Sequence, residues 1–233
     1  MIQIRRDGHR LADYKFSLLL LTLFLFLAVD PFFAGKPGWS FVFDALVLLV
    51  LIGNVYAVRH RARSLLTGTM LAVGAFVSFA YADIRDEQSL EVLGFLLLGS
   101  LWLYSAGSIL GYILSRQVVT VDTLAGSVCV YLQLGLVWSI GFYFIETFIP
   151  GSFNFAAEPL TGNGRSRNDF QLFTYYSFVT LTTLGYGDAL AVSAPARNLS
   201  FLETALGQVY LAVLVARLLG LHLTRRGHRE DDG

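Results

Sequence analysis

The 233-residue sequence is short of charge: Asp, Glu, Lys and Arg make up 15% of it, and apolar types 55%. Soluble domains carry about a quarter of their residues charged, so a chain this poor in charge reads as a membrane protein. The few charges balance to a formal net charge of zero. That excludes the basic field of a nucleic-acid-binding surface, and no zinc-finger or helix-turn-helix spacing occurs. Cysteine is almost absent too. The single Cys129 lies in an apolar stretch, which excludes an internal disulfide and a thiolate metal site and leaves a small buried hydrophobe. No enzyme constellation is present either. Gly162-Asn163-Gly164 lacks the lysine and helix context of a phosphate loop, and no serine, histidine and carboxylate set falls together, so no cofactor is expected.

What the chain has in quantity is long apolar runs. A membrane core takes about 20 apolar residues per helix, and runs at about 16–34, 40–58, 64–82, 92–115, 123–149 and 196–222 fit it. Arg5, Arg6 and Arg10 before the first run suggest a secretory signal, but the run is long and has no small-x-small cleavage site, so it is kept as a helix. Between the last two runs lies a polar segment with Pro150, Gly151, Pro159, Gly162 and Gly164, then a shorter apolar stretch at about 169–183. It is too short to span and reads as re-entrant. The expected fold is therefore an all-α membrane protein with six transmembrane helices, one re-entrant pore helix and a filter. Residues 1–116 would form a four-helix region and 117–233 a pore domain. Lys and Arg crowd one set of loop ends, including residues 59, 61, 63, 116, 225 and 226. Both termini are thus expected in the cytoplasm.

The re-entrant stretch runs into Thr180-Leu181-Thr182-Thr183-Leu184-Gly185-Tyr186-Gly187-Asp188. Non-helical backbone at membrane depth survives only where it is buried in protein or lines a watery path. Gly185 and Gly187 permit backbone angles that a side chain penalises, so successive carbonyls can point the same way. Four such ladders around an axis would form rings of oxygens able to replace a potassium ion's hydration shell, with the Thr183 hydroxyl adding a further ring.

Thr183-Leu184-Gly185-Tyr186-Gly187-Asp188 resembles the T-V-G-Y-G-D selectivity filter of potassium channels, with Leu184 in place of the commoner valine. The order of span, re-entrant helix, filter and span, from near Val121 to Leu223, is similar to the bacterial two-helix ion-channel pore module. The resemblance implies a homotetramer in membrane lipid, at the bacterial inner (plasma) membrane, with K+ as the permeant ion. It also implies an ion-binding filter of Thr183, Leu184, Gly185, Tyr186 and Gly187, with the carbonyls of the first four holding potassium. Thr182 would sit behind the filter, Tyr186 would pack outward, and Tyr175 and Tyr176 would brace the filter by bonding Asp188 or a neighbouring Tyr186. Val179 stands where some channels place a glutamate, so no carboxylate pair is expected. Asn168 or Asp169 is the expected N-cap.

For gating, Gly207 is the candidate hinge, 19 residues after Asp188. Glu203, a charge within a span, reads as a functional candidate or as a structural partner behind the filter, and Arg217 as a snorkelling or interhelical group in preference to a pore-lining one. The fourth run has no charge between Glu91 and Arg116, which excludes a voltage sensor of the arginine-rich type. The segment from Thr224 to Gly233 is too short for a nucleotide-sensing domain. Asp44, Asn54 and Glu146 read as interfacial or packing groups. His9, His60, His222 and His228 map to the cytoplasmic side, where headgroup contact outweighs pH sensing. Rivals to a channel are a non-conducting accessory or scaffold subunit and a transporter, which would need four pore loops in one chain.

Overall fold

The computed structural model describes residues 14–33, 39–58, 62–85, 87–115, 120–156 and 169–230. Seven helices occupy them: α1 (Lys15–Phe33), α2 (Trp39–Val58), α3 (Ala62–Arg85), α4 (Gln88–Ser115), α5 (Val121–Phe148), the short α6 (Phe170–Leu181) and α7 (Ala194–Glu230). Leu, Phe, Val and Ala run around every face of α1, α2, α4 and α5, which suits helices that meet either protein or lipid on all sides. Among the described residues four helical stretches are long and apolar enough to cross a membrane: Leu65–Ala82, Gln88–Ser115, Val121–Phe148 and Ala194–Arg217. The apolar described parts of α1 and α2, Lys15–Val29 and Val42–Ala57, are shorter.

The all-α expectation takes one amendment. Strands β1 (Phe153–Phe155) and β2 (Ala189–Ala191) pair antiparallel, Phe153 opposite Ala191 and Phe155 opposite Ala189. They tie the segment after α5 to the segment after the filter motif. Glu146, read from sequence as a packing group, anchors this ribbon: its buried carboxylate accepts from the amides of Gly151 (2.7 Å) and Phe153 (3.0 Å).

One apolar core runs through the whole subunit. Its spine is aromatic. Phe43 of α2 meets Phe79 of α3, Phe79 meets Phe95 of α4, and Phe95 meets Phe170 at the start of α6, with centroids 4.7 Å apart in the last pair. A polar knot crosses the same core. Gln133 of α5 donates to Asn54 of α2 (2.6 Å) and to Ser105 of α4 (3.2 Å). Buried amides of this kind join helices in a bilayer, where lipid tails compete poorly for polar groups.

The first helix is fastened from a distance in sequence. Thr120 caps α5 in a reciprocal box with Thr123, which leaves the first-turn Asp122 free to reach another helix. Its carboxylate accepts from the amides of Phe16 and Ser17, both at 3.0 Å, and from the Ser17 hydroxyl. These are orphan donors at the start of α1, and an anion there also meets the positive end of the helix dipole. Lys15 lies over the rings of Phe16 and Tyr112. Asp122→Ala should therefore lower stability by about 1–2 kcal/mol, as loss of a capping acceptor does. Thermal unfolding of the purified protein in detergent checks this, with Asp122→Asn keeping most of the effect; an unmoved midpoint for the alanine variant would mean that α1 is held by other contacts.

Candidate functional site

The filter motif begins where α6 ends. Thr182 returns its amide (3.0 Å) and hydroxyl (2.6 Å) to the Phe178 carbonyl. Its hydroxyl thus closes the last turn of α6, whereas the family resemblance puts Thr182 behind the filter. The next amides fold back too: Thr183 to Thr180 O (3.0 Å), Leu184 to Val179 O (2.9 Å) and Gly185 to Val179 O (3.4 Å). The donors at the start of the loop are consumed by the C-terminus of the helix below them.

The acceptors are not. Among the described residues no amide or side chain donates to the carbonyl oxygens of Thr183, Leu184, Gly185 or Tyr186. Backbone φ is +60° at Thr183, +56° at Gly185 and +83° at Gly187, with Leu184 and Tyr186 on the negative side between them. Gly185 and Gly187 take these angles without a side-chain penalty. Thr183, a β-branched residue, does not, and strain of that sort is retained where the surroundings impose it. Sequence reasoning assigned the alternation to the glycines alone; nothing in the residue type of Thr183 signals its left-handed backbone.

Three helices hold this loop from behind. The Ser177 hydroxyl, on α6, lies 2.7 Å from Gly135 O on α5 and 2.5 Å from the carboxylate of Glu203 on α7. Glu203 is fully buried, so it does stand as a structural partner behind α6. Tyr131 of α5 donates to Leu181 O (3.2 Å), and Thr204 of α7 donates to Thr180 O (3.3 Å). Both occupy carbonyls of the last turn, which lack helical partners.

The two tyrosines diverge. Tyr175 donates to Asp188 Oδ2 at 2.6 Å and braces the far end of the loop. That carboxylate pushes the Tyr175 hydroxyl up to about 12, so it remains a donor at neutral pH. Tyr176 turns the other way and shares a hydrogen bond with Ser200 of α7 (2.6 Å). Its ring packs edge-on against Phe142 and Phe153, so within one subunit it braces the frame and not Asp188. Asp169 sits at the cap position of α6, but its backbone is already helical and its side chain makes no capping bond. Asn168 and the side chains of the four histidines lie outside the described residues.

Tyr186 is 68% exposed and Leu184 52%, on a loop that apolar helices surround. The span of α7 is only 11% buried, against 56% for α5. Both surfaces therefore await cover beyond the single chain. Gly207, the candidate hinge, lies within an unbroken α7. A Cβ there would come within 2.7 Å of Leu181 Cδ1 and 3.0 Å of Leu181 O. The structure thus gives this glycine a packing reason: α7 passes hard against the end of α6. Arg217 is interhelical, donating to the carbonyls of Ile113 (2.5 Å) and Leu114 (3.0 Å) on α4.

Residues 118–221, slightly under half of the chain, match the family model described as an ion channel. The matched stretch takes in α5, the two-stranded ribbon, α6, the loop and most of α7. No curated protein matches the chain. This match, beside helices long and apolar enough to cross a membrane, supports an integral membrane protein with a channel function.

Because Leu181 O cannot move aside as a side chain can, Gly207→Ala should destabilise the fold by about 1–3 kcal/mol. Adding Leu181→Ala should recover only part of that loss in a thermal unfolding assay. Full recovery would show that the side chain alone, and not the backbone, sets the approach of the two helices.

Proposed function

We propose that the protein is a potassium-selective channel whose filter is the backbone of Thr183 to Gly187. The observation that carries the reading is the row of acceptor-only carbonyls without donors, on a backbone of alternating handedness. Such acceptors solvate cations and repel anions. The amides of Thr183, Leu184 and Gly185 are already used by α6. One chain supplies one such row, so the filter needs several copies around an axis; a homotetramer encloses an ion in square rings and covers Tyr186 and the exposed face of α7. In this arrangement all six long helices span the bilayer, α6 is the re-entrant pore helix, and both termini face the cytoplasm of a bacterial cell.

Permeation is passive, with ions in single file displacing one another between adjacent sites. The pore helix points its C-terminus, with its partial negative charge, toward the ion path. Its last carbonyls are partly engaged by Tyr131 and Thr204, which fixes the helix without removing its dipole. Voltage is not sensed through α4, which carries no charge between Glu91 and Arg116.

Purified protein in liposomes should pass K+ well ahead of Na+ and be blocked by barium. Gly187→Ala and Thr183→Ala should each reduce the K+ to Na+ permeability ratio by roughly tenfold or more, the consequence of about 1.4 kcal/mol of lost discrimination. An unchanged ratio in both variants would refute the filter assignment. Absence of any flux in the wild type would favour a non-conducting accessory subunit.

A further inference from the structure

Beyond Gly207, the described side chains of α7 up to Arg217 are mostly exposed. Leu211, Ala212, Val213, Val215 and Ala216 are exposed. Among the described residues the polar fastenings of this half to the rest of the subunit rest on two side chains. Tyr210 donates to Ser127 O on α5 (2.6 Å) and stacks on Tyr131. Two turns further on, Arg217 reaches α4.

The Arg217 contact has a specific electrostatic character. A helix C-terminus carries about half a negative charge on carbonyls that lack intrahelical partners. The last turn of α4 contains no basic residue of its own, and a single nitrogen of Arg217 donates to two of these carbonyls, Ile113 and Leu114. Charge-assisted bonds are the strong ones. A guanidinium seated there cannot at the same time line an ion path. The cation that caps α4 therefore belongs to the helix that, on the channel reading, borders the path.

We infer that Arg217 is a positioning residue that fastens the far half of α7 to the end of α4, so that helices α1 to α4 and the pore end of α7 share one conformational equilibrium. The inference rests on the channel reading and gives the four-helix region a role in it, since that region sets the position of the far half of α7 through the α4 C-terminus. Anything that moves α4 along or about its axis moves the acceptors of Arg217. Coupling of this kind needs two states that the contact distinguishes, and Arg217 bonded or released provides them.

The test uses the full chain in planar bilayers, together with spin labels on Gly111→Cys of α4 and Ala216→Cys of α7. Gly111 has open space at its Cβ position, and both sites are exposed. Arg217→Gln should leave the single-channel K+ conductance and the K+ to Na+ ratio unchanged while shifting the open fraction by about fivefold or more, the usual range for coupled sites. It should also lengthen or broaden the label-to-label distances. Arg217→Lys should restore part of both effects. Adding Ser115→Lys to Arg217→Gln gives α4 a cation of its own, which should recover thermal stability but not the open fraction. A rise in conductance on Arg217→Gln would place the charge in the ion path and overturn the inference. So would an unmoved open fraction, or full restoration by Ser115→Lys, which would reduce Arg217 to a helix cap. If the wild type passes no K+, the channel reading fails, and the label distances alone decide whether Arg217 fastens α7: unchanged distances in Arg217→Gln would overturn it.

Discussion

In hydrocarbon a backbone amide or carbonyl without a partner costs several kcal/mol, and the rest of this structure follows from the need to avoid that cost. The helices avoid it internally. Several described non-helical groups within the matched stretch do so one by one. Glu146 takes the amides of Gly151 and Phe153, the strands pair across Phe153 and Ala191, and Ala156 donates to Asp188 O. The amides of Thr183, Leu184 and Gly185 go to the last turn of α6. Among the described residues the carbonyls of Thr183, Leu184, Gly185 and Tyr186 are left without donors.

Such a set is useful only if it is held still, because a site loosened by an ångström loses its geometry. α6 is twelve residues long, too short to be stable in isolation, and its rigidity is borrowed. Ser177 with Glu203 and Gly135 holds its middle, Tyr131 and Thr204 hold its end, and Tyr175 with Asp188 closes the loop beyond it. Glycine does complementary work. Gly135 would place a Cβ 2.8 Å from the ring of Phe178, and Gly207 would place one against Leu181. α5 and α7 can therefore close on α6 from two sides, and the polar bonds between them become short enough to form.

The parts of this arrangement that were legible in sequence are those written locally. Apolar runs of span length mark the long helices, and Gly185-Tyr186-Gly187 after a short apolar stretch marks the loop. The parts that were not legible depend on which way a side chain faces or on partners far along the chain. Phe153-Asn154-Phe155 and Ala189-Leu190-Ala191 are too short to show a strand period, and each needs the other to pair. Asp122 looks like a first-turn acid of α5 and caps α1 instead. Adjacent Tyr175 and Tyr176 differ by about 100° around the helix, so one meets Asp188 and the other Ser200. Glu146 and Glu203 were visible as charges in apolar runs, but their partners were not. Thr183 was assigned a hydroxyl role, while its backbone angle came only with the fold.

The position of Phe170 bears on how four further helices accompany the matched stretch, which two long helices and a loop make up. Phe170 opens α6, and its ring packs on Phe95 of α4 and at 6.5 Å on Phe43 of α2. The same core continues through Phe79 to α3 and through Phe26 to α1. The start of α6 is thus seated on the four-helix region, while its end is seated on α5 and α7. Gln133 draws α2 and α4 onto α5 at a second level, by its bonds to Asn54 and Ser105. Close-packed interiors transmit displacement and do not absorb it, since few voids exist to take it up. α2 and α4 touch the start of α6 directly. The four helices are in this sense part of the wall against which α6 is set, and the core they share with α5 and α6 is the physical reason.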